Sequence, residues 1–151
     1  MTIAGHFACV TSVPNAVLPR RHTQGAAGYD VTPYLREPVT LVPGSVTLLR
    51  TGIKAYVKPG WVLMLVIRSS VGLRRHLAIP HSLGIIDSDY ADNPENEGEI
   101  FLPLWNFGSD PQTIAPGTRL AQGLFVPYGV TGDDSALTRR HGGLGSTGTG
   151  S

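Results

Sequence analysis

The chain has 151 residues, 41% hydrophobic and only 15% charged, with a formal net charge of +1. That length suits one domain with a sizeable core, and the near-neutral balance excludes a global basic field that would recruit nucleic acid or a membrane surface. Cys9 is the single cysteine, which excludes an internal disulfide framework and fits a reducing compartment. Flanked by Ala8 and Val10, it reads as a small buried side chain. No basic start followed by an apolar run opens the chain, and the longest apolar run, residues 61–67, is too short to span a bilayer. A soluble cytoplasmic protein is expected. So little surface charge also argues for surface buried between subunits.

Glycine (19) and proline (12) punctuate short apolar runs, which points to an all-β domain. Residues 6–12 form the first predicted strand. The loop that follows carries Arg20, Arg21 and His22, read as a solvated cluster. In residues 26–31 small side chains let backbones approach closely, and Gly28 permits an irregular bend before Asp30. Residues 39–42 and 46–49 are strands hinged at Pro43-Gly44. Residues 51–57 alternate, with Ile53, Ala55 and Val57 on one face and Lys54 and Tyr56 on the other. Pro59-Gly60 then turns the chain into residues 61–67. That run does not alternate, so it is a strand buried on both faces or an element at a subunit contact.

At its exit stand Arg68, Ser69 and Ser70, a guanidinium and two hydroxyls that suit anion binding together with nearby backbone N–H groups. The alternative for residues 69–75 is a single helical turn capped by a serine. Residues 82–100 have the pattern of a β-hairpin with a long polar tip. Asp87, Asp89, Asp92, Glu95, Glu97 and Glu99 in it are six of the eleven carboxylates of the chain. An EF-hand is excluded, because Asp92 falls where glycine is needed and Gly98 where the bidentate glutamate belongs. Asp87 at the mouth of the hairpin is either turn chemistry or a carboxylate that orients water.

Residues 100–107 are another apolar strand, with Pro103 marking a bulge or an edge. Residues 119–126 form a strand that embeds Arg119 and Gln122, polar groups that need partners. From Gly129 the chain turns polar and then glycine-rich. This divides it into a β-barrel domain, residues 1–128, and a flexible C-terminal arm, residues 129–151. The arm is not a Walker loop, since no lysine follows its glycines.

Taken in order, AAGYDV, RSSVG, GIIDSDY, GTRLAQ and GGLGSTG closely resemble the five ordered motifs of the homotrimeric dUTPases, the deoxyuridine triphosphate nucleotidohydrolases. The resemblance spans residues 26–148. It implies a jelly-roll-like β-barrel and a homotrimer with active sites shared between subunits, each closed by the C-terminal tail of a neighbour. It implies cleavage of dUTP to dUMP and pyrophosphate, with Mg2+ on the triphosphate. Asp87 matches the carboxylate that activates water for attack on the α-phosphorus. Asp30 matches the aspartate that reaches the metal through its coordinated water. Arg68, Ser69 and Ser70 match the phosphate-holding second motif, and Gln122 the phosphate-contacting glutamine of the fourth, while Arg119 matches a structural arginine. Tyr90 matches the aromatic ring under the deoxyribose, and the backbone around Gly84 and Ile86 reads uracil. Arg139 fits the γ-phosphate arginine by its spacing to Gly142, with Arg140 the alternative. Leu144, Gly145 and Ser146 belong to the tail that covers the nucleotide.

The chain departs from the family pattern in several places. Residues 92–97 are additional, His81 stands where asparagine is common, and Arg140 occupies a usual glycine. Leu144 replaces the aromatic that stacks on uracil, so weaker ordering of the tail is expected. Two other classes stay open. A dCTP deaminase or bifunctional relative of the same fold needs a glutamate in the base pocket, and the core strands offer none. A nucleotide-responsive regulator would bind a protein partner, through the acidic tip, with weak or no turnover.

Overall fold

Apolar alternation and glycine-bearing turns close this chain into antiparallel β-sheets. The computed structural model describes residues 1–137 and 142–143. Four sheets are formed among them. β1 (Gly5–Cys9) pairs with β5 (Ile53–Val57), and β3 (Val39–Leu41) with β10 (Gln112–Ile114). The largest sheet has the order β2 (Tyr29–Val31), β11 (Ala121–Pro127), β6 (Trp61–Ile67), β8 (Gly84–Ile86). In the fourth, β9 (Phe101–Asn106) lies between β4 (Val46–Arg50) and β7 (Leu77–Ala78). One helix, α1 (Ser69–Arg75), leaves the end of β6. The all-β, jelly-roll-like expectation therefore holds. No helix among the described residues is long and apolar enough to cross a membrane.

The alternating positions of the strands meet in one core that includes Ile53, Leu63, Leu65, Leu102, Leu104 and Leu120, each essentially inaccessible to solvent. Lys54 is an exception to the alternation of β5. It points away from the core yet is only 8% exposed, because residues 92–97 cover it. β6 carries ladders on both edges, but only Leu63 and Leu65 are fully buried. It is central by pairing rather than buried on both faces.

Three local readings of the sequence are corrected. Residues 82–100 are not a hairpin. β8 pairs with β6 while β9 pairs with β4 and β7, so the segment crosses from one sheet to another. Periodicity gives strands but not partners, and two strands joined by a long connection need not be neighbours. The crossing is also no solvent-facing tip, since Asn93, Glu99 and Ile100 are buried. Second, whatever bend Gly28 permits before Asp30 does not use a positive φ. A Cβ there would run into Gln122 Oε1, so this glycine is needed for room. Third, residues 69–75 are helical, but Arg68 holds the N-cap position without a capping side-chain bond and Ser69 is the first helical residue. Pro103 lies beyond the reach of β7, which pairs only with Trp105 and Asn106. It therefore stands where β9 has one neighbour, as a proline lacking an N–H requires.

Candidate active site

The β2–β11–β6 register assembles a polar cavity. Gln122 lies directly across from Asp30, and Ala121 across from Ile67, which places Arg68 at the end of the ladder. The Arg68 N–H donates to Leu120 O at 3.0 Å and fixes the chain there. Asp30, Arg68, Ser69, Ser70 and Gln122 then line one cavity of about 210 Å³. Every phosphate- or metal-directed residue read from the first four motifs is in it.

Asp30 is the electrostatic centre of this cavity. Its side chain is 12% exposed, with Oδ1 3.2 Å from Arg68 Nε. Arg119 Nη1 donates to Oδ2 at 2.9 Å, and His22 Nε2 is 3.3 Å from the same oxygen. Through this contact Arg119 tethers β2. The loop of Arg20, Arg21 and His22 is held to the site, although its side chains are exposed. Asp30 N–H donates to Arg20 O, Arg21 bonds Gln24 O and Ala26 O, and His22 lines the cavity. The sequence signals nothing about His22 beyond its basic neighbours, because its contact with Asp30 depends on how the loop folds back.

A divalent cation finds no ready cage here. Among the described residues no cluster of His, Cys, Asp and Glu could hold one directly. Both Asp30 oxygens already face cations, but a carboxylate oxygen has two acceptor sites, so each can accept a further hydrogen bond. The donor set fits a hydrated magnesium ion carried by a polyanion, with Asp30 reaching its water, and does not fit direct ligation.

A second cavity, of about 140 Å³, opens between β8 and β9. Gly84, Ile85 and Ile86 form one wall and Ile100, Phe101 and Pro103 another, with Tyr90 and His81 also in the lining. Tyr90 is 7% exposed, and its hydroxyl donates to Glu99 O at 2.8 Å, which locks the ring in place. Apolar walls with backbone polar groups suit a planar base. Asp87, half-buried, follows Ile86 directly, at the end of β8. Among the described residues the two cavities share no lining residue.

Glu99 is the buried glutamate of the crossing. It accepts from Arg50 Nε at 3.0 Å and from the Gly52 N–H at 2.9 Å. These bonds to Glu99, foremost, hold the Arg50 guanidinium above its ordinary pKa. Arg139, Arg140, Leu144, Gly145 and Ser146 lie outside the described residues. Of the glycine-rich motif, Gly142 and Gly143 are described; both are buried, and Gly143 lines the apolar cavity.

The dUTPase family model matches residues 14–148. The chain belongs to the dUTPase family. It is 41% identical to the deoxyuridine 5'-triphosphate nucleotidohydrolase of Lactococcus lactis, covering 98% of this chain and 99% of that one. The enzyme of the same name from Escherichia coli is 36% identical, over 87% of each chain. The crystal structure of the dUTPase from Streptococcus mutans superposes with a TM-score of 0.77 at 37% identity, covering 83% of this chain and 98% of that one. A dUTPase from phage phi11 of S. aureus, whose structure describes a structural Mg(II) ion, shares the fold at a TM-score of 0.70 and 21% identity, covering 90% of this chain and 98% of that one. The dUTPase motifs thus fall on two separate cavities of one chain, the first, second and fourth on the polar one and the third on the apolar one.

Proposed function

We propose that the protein hydrolyses dUTP to dUMP and pyrophosphate. The observation that carries this reading is the common cavity of Asp30, Arg68, Ser69, Ser70 and Gln122, set apart from an apolar pocket the size of a pyrimidine. Family membership supports it. The base enters between β8 and β9, where the backbone at Gly84 and Ile86 offers hydrogen bonds and the close walls exclude a 5-methyl group. Tyr90 packs against the sugar. Asp87 orients a water and takes its proton as the new P–O bond forms at the α-phosphorus, and the α–β bridging bond breaks to release pyrophosphate. Ser69, Ser70, Gln122 and the unpaired part of the Arg68 fork hold the leaving phosphates. Magnesium, when bound with the nucleotide, neutralises charge on the triphosphate. Arg139, in the arm of residues 129–151, is our choice for the γ-phosphate.

Because the polar and apolar cavities share none of the described residues, a complete site takes one from each of two subunits, in keeping with a homotrimer. Val46, Leu48 and Trp105, with Phe107 just past the end of β9, leave an exposed apolar face on β4 and β9, and such a face suits burial between subunits. The deaminase alternative is disfavoured by Glu99, whose carboxylate is committed to Arg50 and Gly52.

Product analysis with Mg2+ and, separately, dUTP, dCTP, dTTP and UTP tests the reading. Release of dUMP and pyrophosphate from dUTP alone is expected. Ammonia from dCTP would move the protein to the deaminase class, and silence with all four from a protein that binds dUTP would make it a nucleotide-responsive regulator.

A further inference from the structure

Residues 92–97, additional to the family pattern, fold back on Tyr90, the aromatic wall of the apolar cavity. Tyr90 is held at both ends. Its hydroxyl donates to Glu99 O at 2.8 Å and accepts from Asn96 Nδ2 at 3.0 Å, while its carbonyl accepts from Asn93 Nδ2 at 2.8 Å. Asn96 cannot turn its amide away, because Oδ1 takes the Gly98 N–H at 3.0 Å and Asn93 Nδ2 at 2.7 Å, and both donors need an oxygen. Asn93 is 4% exposed, and its Oδ1 accepts the N–H groups of Glu95 at 3.1 Å and Asn96 at 3.2 Å. The two amides therefore form one closed network that ends on the tip of the Tyr90 ring.

The network is itself braced. Lys54 Nζ on β5 reaches both Asp92 and Glu97, and Tyr56 donates to Asp92 Oδ2 at 2.7 Å. Glu97 accepts from the N–H and the hydroxyl of Thr11, just past β1. Through residues 92–97, Tyr90 is thus tied to the β1–β5 sheet. Apolar packing limits the space open to a ring but has no direction, whereas hydrogen bonds at its tip fix where the tip points. Asn96 is absent from the lining of the apolar cavity, so its influence there passes through Tyr90.

We propose that Asn96, braced by Asn93, is a positioning residue that sets selectivity for the sugar: it holds the Tyr90 ring rigid, so that a sugar carrying a 2′-hydroxyl is refused at that wall. An apolar wall by itself rejects a substrate that merely adds a hydroxyl by only about 10²-fold, and a wall that tilts rejects it less. A fixed tip also gives the extra hydroxyl no new partner, since the Tyr90 hydroxyl already donates to Glu99 O and accepts from Asn96. The clamp stands on these contacts, whereas its bearing on the sugar rests on the hydrolase reading.

Asn96→Ala and Tyr90→Phe, made singly and together in the full chain, test this with dUTP and UTP as alternative substrates. The ratio of kcat/KM for dUTP to that for UTP should fall about five- to tenfold in Asn96→Ala, as loss of one neutral hydrogen bond allows, with kcat for dUTP within about twofold. Tyr90→Phe, which keeps the ring and removes its tip, should lower the ratio by a similar factor, and the double variant no further. In protein isotopically labelled at tyrosine Cζ and free of nucleotide, the Tyr90 resonance, identified by its loss in Tyr90→Phe, should move in Asn96→Ala. An unmoved resonance would overturn the clamp. An unchanged ratio would overturn the role in selectivity, and so would an equal rise in KM for both nucleotides, the mark of a merely structural residue. Losses that add in the double variant would overturn it too, because Asn96 would then act without Tyr90. If the wild type hydrolyses neither nucleotide the hydrolase reading falls, and the ratio of Kd for dUTP and UTP decides the proposal by the same criteria.

Discussion

Gln122 stands directly across the β2–β11 ladder from Asp30, and the space between their strands is kept open by the missing side chain of Gly28. Gly28→Ala puts a methyl where Gln122 Oε1 lies. The ladder survives, because Gly28 has no special backbone angle, but Gln122 must swing away. The expected result is a folded variant with a KM for dUTP about ten- to a hundredfold higher, in line with losing one hydrogen bond to a charged group, ~1.5–3 kcal/mol. Kinetics beside a thermal melt would check it. An unchanged KM would take Gln122 off the substrate.

Asp87→Asn keeps the shape of the β8 terminus and removes the proton acceptor. Turnover should fall about 10²- to 10⁴-fold, the usual worth of a positioned base. Calorimetry should find dUTP affinity within a few-fold of wild type. Turnover near the wild-type rate would mean that another group activates the water.

Acid should release the 92–97 segment before the barrel unfolds. Hydrogen bonds from Lys54 first, then from Thr11, lower the Glu97 carboxyl from an ordinary 4.5 to about 2. Lys54, then Tyr56, likewise lower Asp92. Burial pulls Lys54 down, but its bonds to Asp92, Glu97 and Tyr56 outweigh this and leave its pKa raised. A depressed carboxyl contributes stability that is fully present above its unfolded pKa and is lost as pH falls toward the folded value. The window is therefore from about 4.5 down to about 2. Lys54 stays charged throughout and would lose its share only in strong alkali. Proteolytic nicking confined to this segment as pH drops through the window is expected, and segment and barrel opening together would contradict it.

Glu99→Gln should destabilise the fold by about 1–3 kcal/mol, since one acceptor oxygen becomes a donor facing Arg50 or the Gly52 N–H. The midpoint of urea unfolding reports it. A variant as stable as wild type would show that Glu99 is held by something else.

Asp30, Arg68, Ser69, Ser70 and Gln122 were legible because each sits in a short ordered motif, and a strand register then brings distant motifs together; His22, outside any motif, was not. Pairing was less legible. The apolar runs before Asp87 and over residues 100–107 mark strands correctly, yet nothing in either says that β8 chooses β6 and β9 chooses β4 and β7. Composition misleads for residues 92–97, where acidic and amide side chains suggest a wet tip. Lys54, nearly forty residues earlier, supplies the buried partner that keeps them down. Gly28 and Gln122 show the same limit, because the demand for glycine arises from a side chain on another strand.

The apolar cavity, the proposed site of the base, lies along a seam. One wall belongs to the β2–β11–β6–β8 sheet and the other to the β4–β9–β7 sheet, with no ladder across the gap. The polar cavity, in contrast, is built on neighbouring strands of a single sheet. Small sliding of one sheet over the other would therefore alter the width available to the base while leaving the grip on phosphate untouched. On the proposed reading, discrimination among pyrimidines and affinity for the triphosphate would be mechanically independent properties, free to drift separately as the packing between the sheets changes.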